Sequence, residues 1–168
     1  KMEDVVIIGA GPCGLSAAAE LQDQGFDPLV IEKENVVHSI TCYPTNMEFF
    51  STPALLEIAG VPFVTPHPKP SRLEALNYYR TVSERRAMRI RRYERVTAVE
   101  RMAGMADEAA ADAGSRPIAS ADREGGFIVR SVRRSGEALE TRARAVCSLI
   151  ASRAATSGYG SSSTTRRW

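Results

Sequence analysis

The chain has 168 residues, of which 43% are hydrophobic and 25% are charged, and its formal net charge is +2 at pH 7. A chain of this length can bury one full core, so the default expectation is one domain. The small net charge gives no reason to expect nucleic acid or an anionic membrane as a partner.

The cysteines and the apolar runs bear on the compartment. None of the three cysteines belongs to a CxxC pair, which fits a reducing cytoplasm better than a disulfide framework. No apolar run approaches the length of a membrane span, and the chain starts with a strand-like segment instead of a signal peptide. We therefore predict a cytoplasmic protein.

The first stretch reads as a strand, a glycine-rich loop, a helix and a second strand. Residues 5–8 are apolar without a break, as expected of a parallel strand buried on both faces. Residues 15–24 carry apolar side chains at helical spacing. The second strand, 28–31, ends on the acidic Glu32. This order predicts the βαβ opening of a dinucleotide-binding domain.

The loop between strand and helix has the GxGxxG pattern. Gly9 permits a tight turn, Gly11 lets the backbone approach a pyrophosphate, and Gly14 allows close packing of helix on strand. The helix N-terminus offers N–H groups and a positive dipole end to phosphates. Glu32 can accept hydrogen bonds from ribose hydroxyls. The alternative is a glycine loop without a ligand. The residues predicted to bind the cofactor are Gly9, Ala10, Gly11, Pro12, Gly14, Glu32 and Lys33, the last facing either a phosphate or solvent.

Cys13 lies within the glycine motif, at the start of the predicted helix. The helix dipole and the N–H groups there favour a thiolate, the reactive form of cysteine. The alternative is that the position needs a small residue and cysteine merely fits. Cys42 and Cys147 are interpreted as incidental. His38 and His67 lack the spacing of metal ligands, and no metal site is predicted.

After the second strand the sequence becomes irregular. Tyr43, Phe49 and Phe50 either line a bound cofactor or enter the core, and we expect at least one of them in the core. One or two helical turns are predicted over 53–59. The proline-rich segment 61–70 must be extended or turning.

Ser71 and Glu74 have the spacing of a capping box, which predicts a helix to about Arg86. Two strands follow at 88–91 and 95–99, the first as the third strand of the parallel sheet. The residues predicted to share the buried face of the helix are Leu73, Leu76, Tyr79 and Val82 or Ser83.

The second half of the chain contains three segments that differ in composition and apolar pattern. Residues 103–125 are rich in Ala, Asp and Glu without a period, and are interpreted as a flexible insertion. Residues 127–132 and 138–146 read as a hairpin of two strands. Residues 151–168 have no apolar period and are predicted to be a disordered tail. The predicted division is thus a partial Rossmann-like dinucleotide-binding domain, 1–150, followed by this tail.

Residues 5 to about 100 resemble the flavin disulfide reductases, and more narrowly the YpdA-type bacillithiol-disulfide reductase family within the pyridine nucleotide-disulfide oxidoreductase superfamily. The glycine motif is common to many flavoproteins, and the PTN, FFST and VPF stretches narrow the resemblance. The motifs that carry it are Gly9-Ala10-Gly11-Pro12-Cys13-Gly14-Leu15, Leu29-Val30-Ile31-Glu32-Lys33, Tyr43-Pro44-Thr45-Asn46-Met47, Phe49-Phe50-Ser51-Thr52, Gly60-Val61-Pro62-Phe63 and Ala75-Leu76-Asn77-Tyr78-Tyr79-Arg80.

The resemblance implies an α/β fold with FAD on this first domain and NADPH on a second, inserted domain. It also implies that Cys13 is the redox residue and that the substrate is a low-molecular-weight thiol disulfide, bacillithiol disulfide. The oligomeric state is left open, and a homo-oligomer is compatible with the complete protein.

The chain departs from the family near Val146. Family members carry there an apolar strand that ends in Ala-Thr-Gly, whereas this chain continues Cys-Ser-Leu-Ile-Ala-Ser, and no second glycine motif follows. We interpret the chain as a truncated or frameshifted N-terminal part of an NADPH-dependent flavoprotein disulfide reductase that does not turn over by itself. The alternatives are a catalytically inactive nucleotide-binding remnant and a flavin monooxygenase-like oxidoreductase.

Overall fold

A computed structural model describes residues 1–102 and 125–148, which fold around one six-stranded sheet. The strands are β1 (Met2–Ile8), β2 (Leu29–Ile31), β3 (Arg89–Arg91), β4 (Glu94–Arg101), β5 (Phe127–Arg133) and β6 (Ala138–Ser148). The helices are α1 (Pro12–Asp23), α2 (His38–Thr41), α3 (Pro53–Leu56) and α4 (Arg72–Arg85). The predicted insertion at 103–125 lies outside the described residues except for Gly125, and the predicted tail at 151–168 lies wholly outside them.

The strand order is β3-β2-β1-β6-β5-β4, and it combines a parallel half with an antiparallel meander. β3, β2, β1 and β6 are parallel, whereas β4, β5 and β6 are antiparallel neighbours. β6 is long enough to pair with β1 on one side and with β5 on the other. The predicted Rossmann-like α/β fold with a central parallel sheet and a hairpin is confirmed.

Both faces of the parallel strands are buried, which explains their unbroken apolar sequence. Ile7 and Val30 point towards the helices, where they join the core formed with α1, α2 and α4. Val6 and Ile31, one position along, pack on the opposite face against Val129 of the meander. The meander therefore covers the face of the parallel strands that the helices leave open.

α4 begins with the predicted capping box. The Glu74 backbone N–H donates to the Ser71 hydroxyl at 3.3 Å, and the Glu74 carboxylate accepts the Ser71 backbone N–H at 2.8 Å. The predicted buried face of the helix is right for Leu76, Tyr79, Val82 and Ser83 but wrong for Leu73, which is 57% exposed. Leu73 lies in the first turn, where no neighbouring element covers it, and Ala75 and Tyr78 are buried instead.

The same carboxylate makes the stability of the fold depend on pH. Hydrogen bonds from the Thr65 hydroxyl, from Ser71 and from His67 lower the pKa of Glu74 from 4.5 to about 2. Because the folded-state pKa is depressed, Glu74 contributes stability that is fully present above pH 4.5 and is lost as the pH falls to about 2. Urea unfolding at several pH values should show a steeper loss for the unmodified chain than for Glu74→Gln. Identical slopes would contradict this assignment.

The irregular segment before α4 contains two short helices. α2 was not predicted, and α3 ends earlier than the expected 53–59 because Glu57 is already extended. Phe49 packs against the core as expected of at least one aromatic, while Phe50 is 90% exposed. Within the described residues, no helix is long and apolar enough to cross a membrane.

Candidate functional site

The glycine loop is held by hydrogen bonds to the last residue of β2 and to the residue before α2. Gly9 adopts a φ of 102°, which side chains rarely tolerate, and its N–H donates to the Ile31 carbonyl at 2.9 Å. The Ala10 carbonyl accepts the Val37 N–H at 2.9 Å. The loop therefore has one conformation, and it aims the start of α1 at the end of the parallel sheet, where α/β folds bind ligands.

Gly11 and Gly14 lack side chains for different reasons. A Cβ on Gly14 would lie 2.0 Å from the Gly9 carbonyl oxygen, so only glycine lets the helix pack this closely. Among the described residues, no atom lies within 4 Å of a Cβ built on Gly11, so the space over it is open. In the first turn of α1, Pro12 has no N–H and the Leu15 N–H donates to the Gly11 carbonyl, which leaves the N–H groups of Cys13 and Gly14 for an external acceptor. An anion can approach the backbone there.

Glu32 is tied to the glycine loop by its own carboxylate. One oxygen, Oε2, accepts the buried Ala10 N–H at 2.7 Å, and the other, Oε1, accepts the Glu34 N–H at 2.9 Å. The side chain is only 8% exposed. Each carboxylate oxygen has more than one lone-pair site, so these bonds leave acceptors for two further donors. The ribose contact of Glu32 stays a prediction, and sequence reasoning missed the link of Glu32 to Ala10, which no spacing in the chain reveals.

The predicted binding residues are brought together by this arrangement. Gly9, Ala10, Gly11, Pro12 and Gly14 form the turn and the first residues of α1, and Glu32 closes it from the end of β2. Lys33 is exposed and makes none of these contacts. The backbone N–H donors and the dipole of α1 are suited to a pyrophosphate, and the Glu32 acceptors are suited to a ribose. An ADP group contains both.

Cys13 lies at the start of α1 and lines a groove between this helix and α3. The groove measures about 560 Å³, and its walls are mainly apolar. The residues that line it are Pro12, Cys13, Ser16, Ala17, Glu20, Leu55, Leu56, Ile58 and Tyr79. The thiol is exposed, so a reactant in the groove can reach it.

Tyr79 is the polar neighbour of Cys13 that the sequence did not single out. Burial, with smaller contributions from Tyr78 and Cys13, raises the pKa of Tyr79 to about 12, so its hydroxyl stays protonated at neutral pH. That hydroxyl donates to the Leu56 carbonyl at 3.1 Å. Tyr79 thereby fixes α3 against α4 and sets the width of the groove. Its distance from Cys13 along the chain explains why spacing could not reveal the pair.

Comparison with known proteins gives one family. The model of the pyridine nucleotide-disulphide oxidoreductase family matches residues 6–107. A curated relative, the bacilliredoxin reductase Bdr of Bacillus subtilis, is 56% identical over 84 residues, which are 50% of this chain and 26% of that protein. The chain thus spans about a quarter of the length of this relative.

Solved structures agree in fold. The bacillithiol disulfide reductase Bdr (YpdA) from Bacillus cereus has a TM-score of 0.72 and 38% identity, covering 88% of this chain and 39% of the other. A flavin-containing monooxygenase from Stenotrophomonas maltophilia has a TM-score of 0.64 and 26% identity, covering 88% of this chain and 38% of the other. These matches confirm the predicted resemblance and support a flavin cofactor.

Proposed function

Because this chain belongs to the pyridine nucleotide-disulphide oxidoreductase family, we propose that it is the N-terminal FAD-binding part of an NADPH-dependent flavoprotein disulfide reductase. The observation that carries the proposal is the open backbone over Gly11 beside the Glu32 carboxylate. A pyrophosphate fits the open backbone over Gly11, and a ribose can donate to the Glu32 carboxylate. With FAD held by these residues, the bound flavin would supply the two-electron redox chemistry between a nicotinamide and sulfur.

The residues of the chain perform three tasks in this reaction. The N–H groups at the start of α1 bind the pyrophosphate, and the positive end of the helix dipole stabilises its charge. Glu32 accepts hydrogen bonds from the ribose while it holds Ala10 in place. Cys13 attacks one sulfur of a disulfide in the groove, which forms a mixed disulfide and releases one thiolate.

We propose bacillithiol disulfide as the substrate, since the Bacillus cereus relative is named a bacillithiol disulfide reductase. The 168 residues contain no second glycine motif that could bind NADPH. We therefore assign NADPH binding to a part of the protein outside these residues. A cytoplasmic location remains a prediction from the cysteine pattern. The flavin monooxygenase alternative rests on the lower similarity of the Stenotrophomonas structure, and it gives Cys13 no task.

The ligand proposal predicts which flavins compete for the site. The proposed contacts of the glycine loop and Glu32 are all with the ADP half of FAD. The chain should therefore bind FAD weakly, and ADP should displace it. FMN, which lacks the adenosine phosphate, should bind at least tenfold less tightly, a difference of about 1.4 kcal/mol. Titration followed by flavin fluorescence measures both affinities. FMN binding as tight as FAD, or a failure of ADP to compete, would place the flavin elsewhere.

A further inference from the structure

A second cysteine, Cys42, has the surroundings of a reactive thiol. It follows the last residue of α2 and is exposed. Its Sγ lies 3.7 Å from Nε2 of His38, one helical turn earlier. A thiol within hydrogen-bond reach of an imidazole is the arrangement by which proteins activate cysteine as a nucleophile.

The tautomer of His38 follows from its contacts with Thr41. The single hydroxyl proton of Thr41 is donated to the His38 carbonyl, at 2.6 Å. The Thr41 oxygen can therefore only accept from the ring, and Nδ1 of His38 lies 3.2 Å from it. With its proton on Nδ1, the neutral imidazole has a bare Nε2. The nitrogen that faces Cys42 is thus the one that can take a proton.

The segment that carries the pair is fixed to the rest of the fold. The Cys42 N–H donates to the Ser39 carbonyl at 3.2 Å. The Arg72 guanidinium donates from Nη1 to the Thr41 carbonyl at 3.1 Å, which joins the end of α2 to the start of α4. This contact also places a permanently charged guanidinium on the residue next to Cys42 in the chain.

We propose that Cys42 is a site of mixed-disulfide formation with low-molecular-weight disulfides, with His38 as its proton acceptor and Thr41 as a positioning residue. The thiol proton moves to Nε2, and the thiolate attacks one sulfur of the disulfide. A bond forms between Sγ and that sulfur, the original sulfur–sulfur bond breaks, and the released thiolate takes the proton from His38. No further oxidant or reductant enters. This proposal does not rest on the proposed FAD site.

The test measures the modification of each cysteine separately. The full chain is incubated with bis(2-hydroxyethyl) disulfide, quenched with acid and digested, and the adduct on each cysteine peptide is quantified by mass spectrometry. The same chain in guanidinium chloride supplies the reference rate. An ordinary thiol is only a few per cent ionised at neutral pH. Because Nε2 of His38 is in place to take the thiol proton during attack, we expect Cys42 to react roughly tenfold faster in the folded chain than in the unfolded chain.

Two pairs of variants assign the effect. His38→Gln keeps a polar side chain without a basic nitrogen and should bring the Cys42 rate back to the reference. His67→Gln changes the other histidine of the chain and should leave the Cys42 rate unchanged. Thr41→Val should lower the rate and Thr41→Ser should restore it. Circular dichroism and an unchanged Cys147 rate show that the fold is intact.

The proposal has clear contrary outcomes. It is overturned if Cys42 in the folded chain reacts no faster than in the unfolded chain. It is also overturned if His38→Gln, still folded, keeps the full rate. If Thr41→Val reacts like the unmodified chain, the tautomer argument is wrong and His38 does not act through Nε2 as described.

Discussion

A Gly14→Ala variant is expected to lose about 3 kcal/mol or more of its free energy of unfolding. The added Cβ would lie 2.0 Å from the Gly9 carbonyl oxygen and 3.1 Å from its carbon. Gly9 cannot yield easily, because its N–H is bonded to Ile31. The start of α1 must therefore move away from the sheet by more than an ångström, and overpacking of rigid backbone is destabilising at about this level or beyond.

Gly11→Ala is the matched control for this effect. It adds the same methyl group to the same loop, at a position with a φ of −75° and nothing within 4 Å of the new Cβ. We expect its stability to lie within about 0.5 kcal/mol of the unmodified chain. Urea unfolding of both variants gives the comparison. If the two midpoints coincide, the close approach of α1 to Gly9 does not exist in solution.

The parts of the fold that could be predicted are those that depend on short sequence patterns. The unbroken apolar strands, the glycine turn and the capping box each depend on neighbours within a few residues, and all three are present in the structure. The hairpin of β5 and β6 followed from its alternation. That β6 would also pair with β1 did not, because Val6 and Val146 are opposite each other only in three dimensions.

What the sequence could not show depends on which element covers a side chain. Leu73 has helical spacing with Leu76, yet it is exposed while Ala75 in the same turn is fully buried, so the core side of the first turn differs from the side that the spacing predicted. The proposed ribose contact of Glu32 could be predicted from its position at the end of a strand, whereas its bond to Ala10 requires the folded loop. The His38–Cys42 pair was interpreted as two unrelated residues because the short helix α2 carries no apolar period.

Gly11→Val is expected to weaken FAD binding strongly while it leaves the chain folded. Gly11 has extended backbone, with a φ of −75° and a ψ of 176°, which a β-branched residue adopts without strain. The two methyl groups of valine would enter the open space over the loop, where the proposed pyrophosphate meets the N–H groups of α1. Since the phosphate can no longer reach these donors, we expect the FAD affinity to fall roughly 100-fold, or by about 2.7 kcal/mol.

Three measurements make this result specific to the cofactor site. Titration with FAD and with ADP should show the same fall, because both ligands use the same loop. Urea unfolding should show little change, in contrast to Gly14→Ala, and Gly11→Ala should give an intermediate affinity. The reaction of Cys42 with a small disulfide should proceed at its usual rate, since α2 does not contact Gly11 by any hydrogen bond among the described residues. Undiminished FAD binding by a folded Gly11→Val chain would show that the pyrophosphate does not lie over Gly11. The open backbone at that position would then have no part in binding the cofactor.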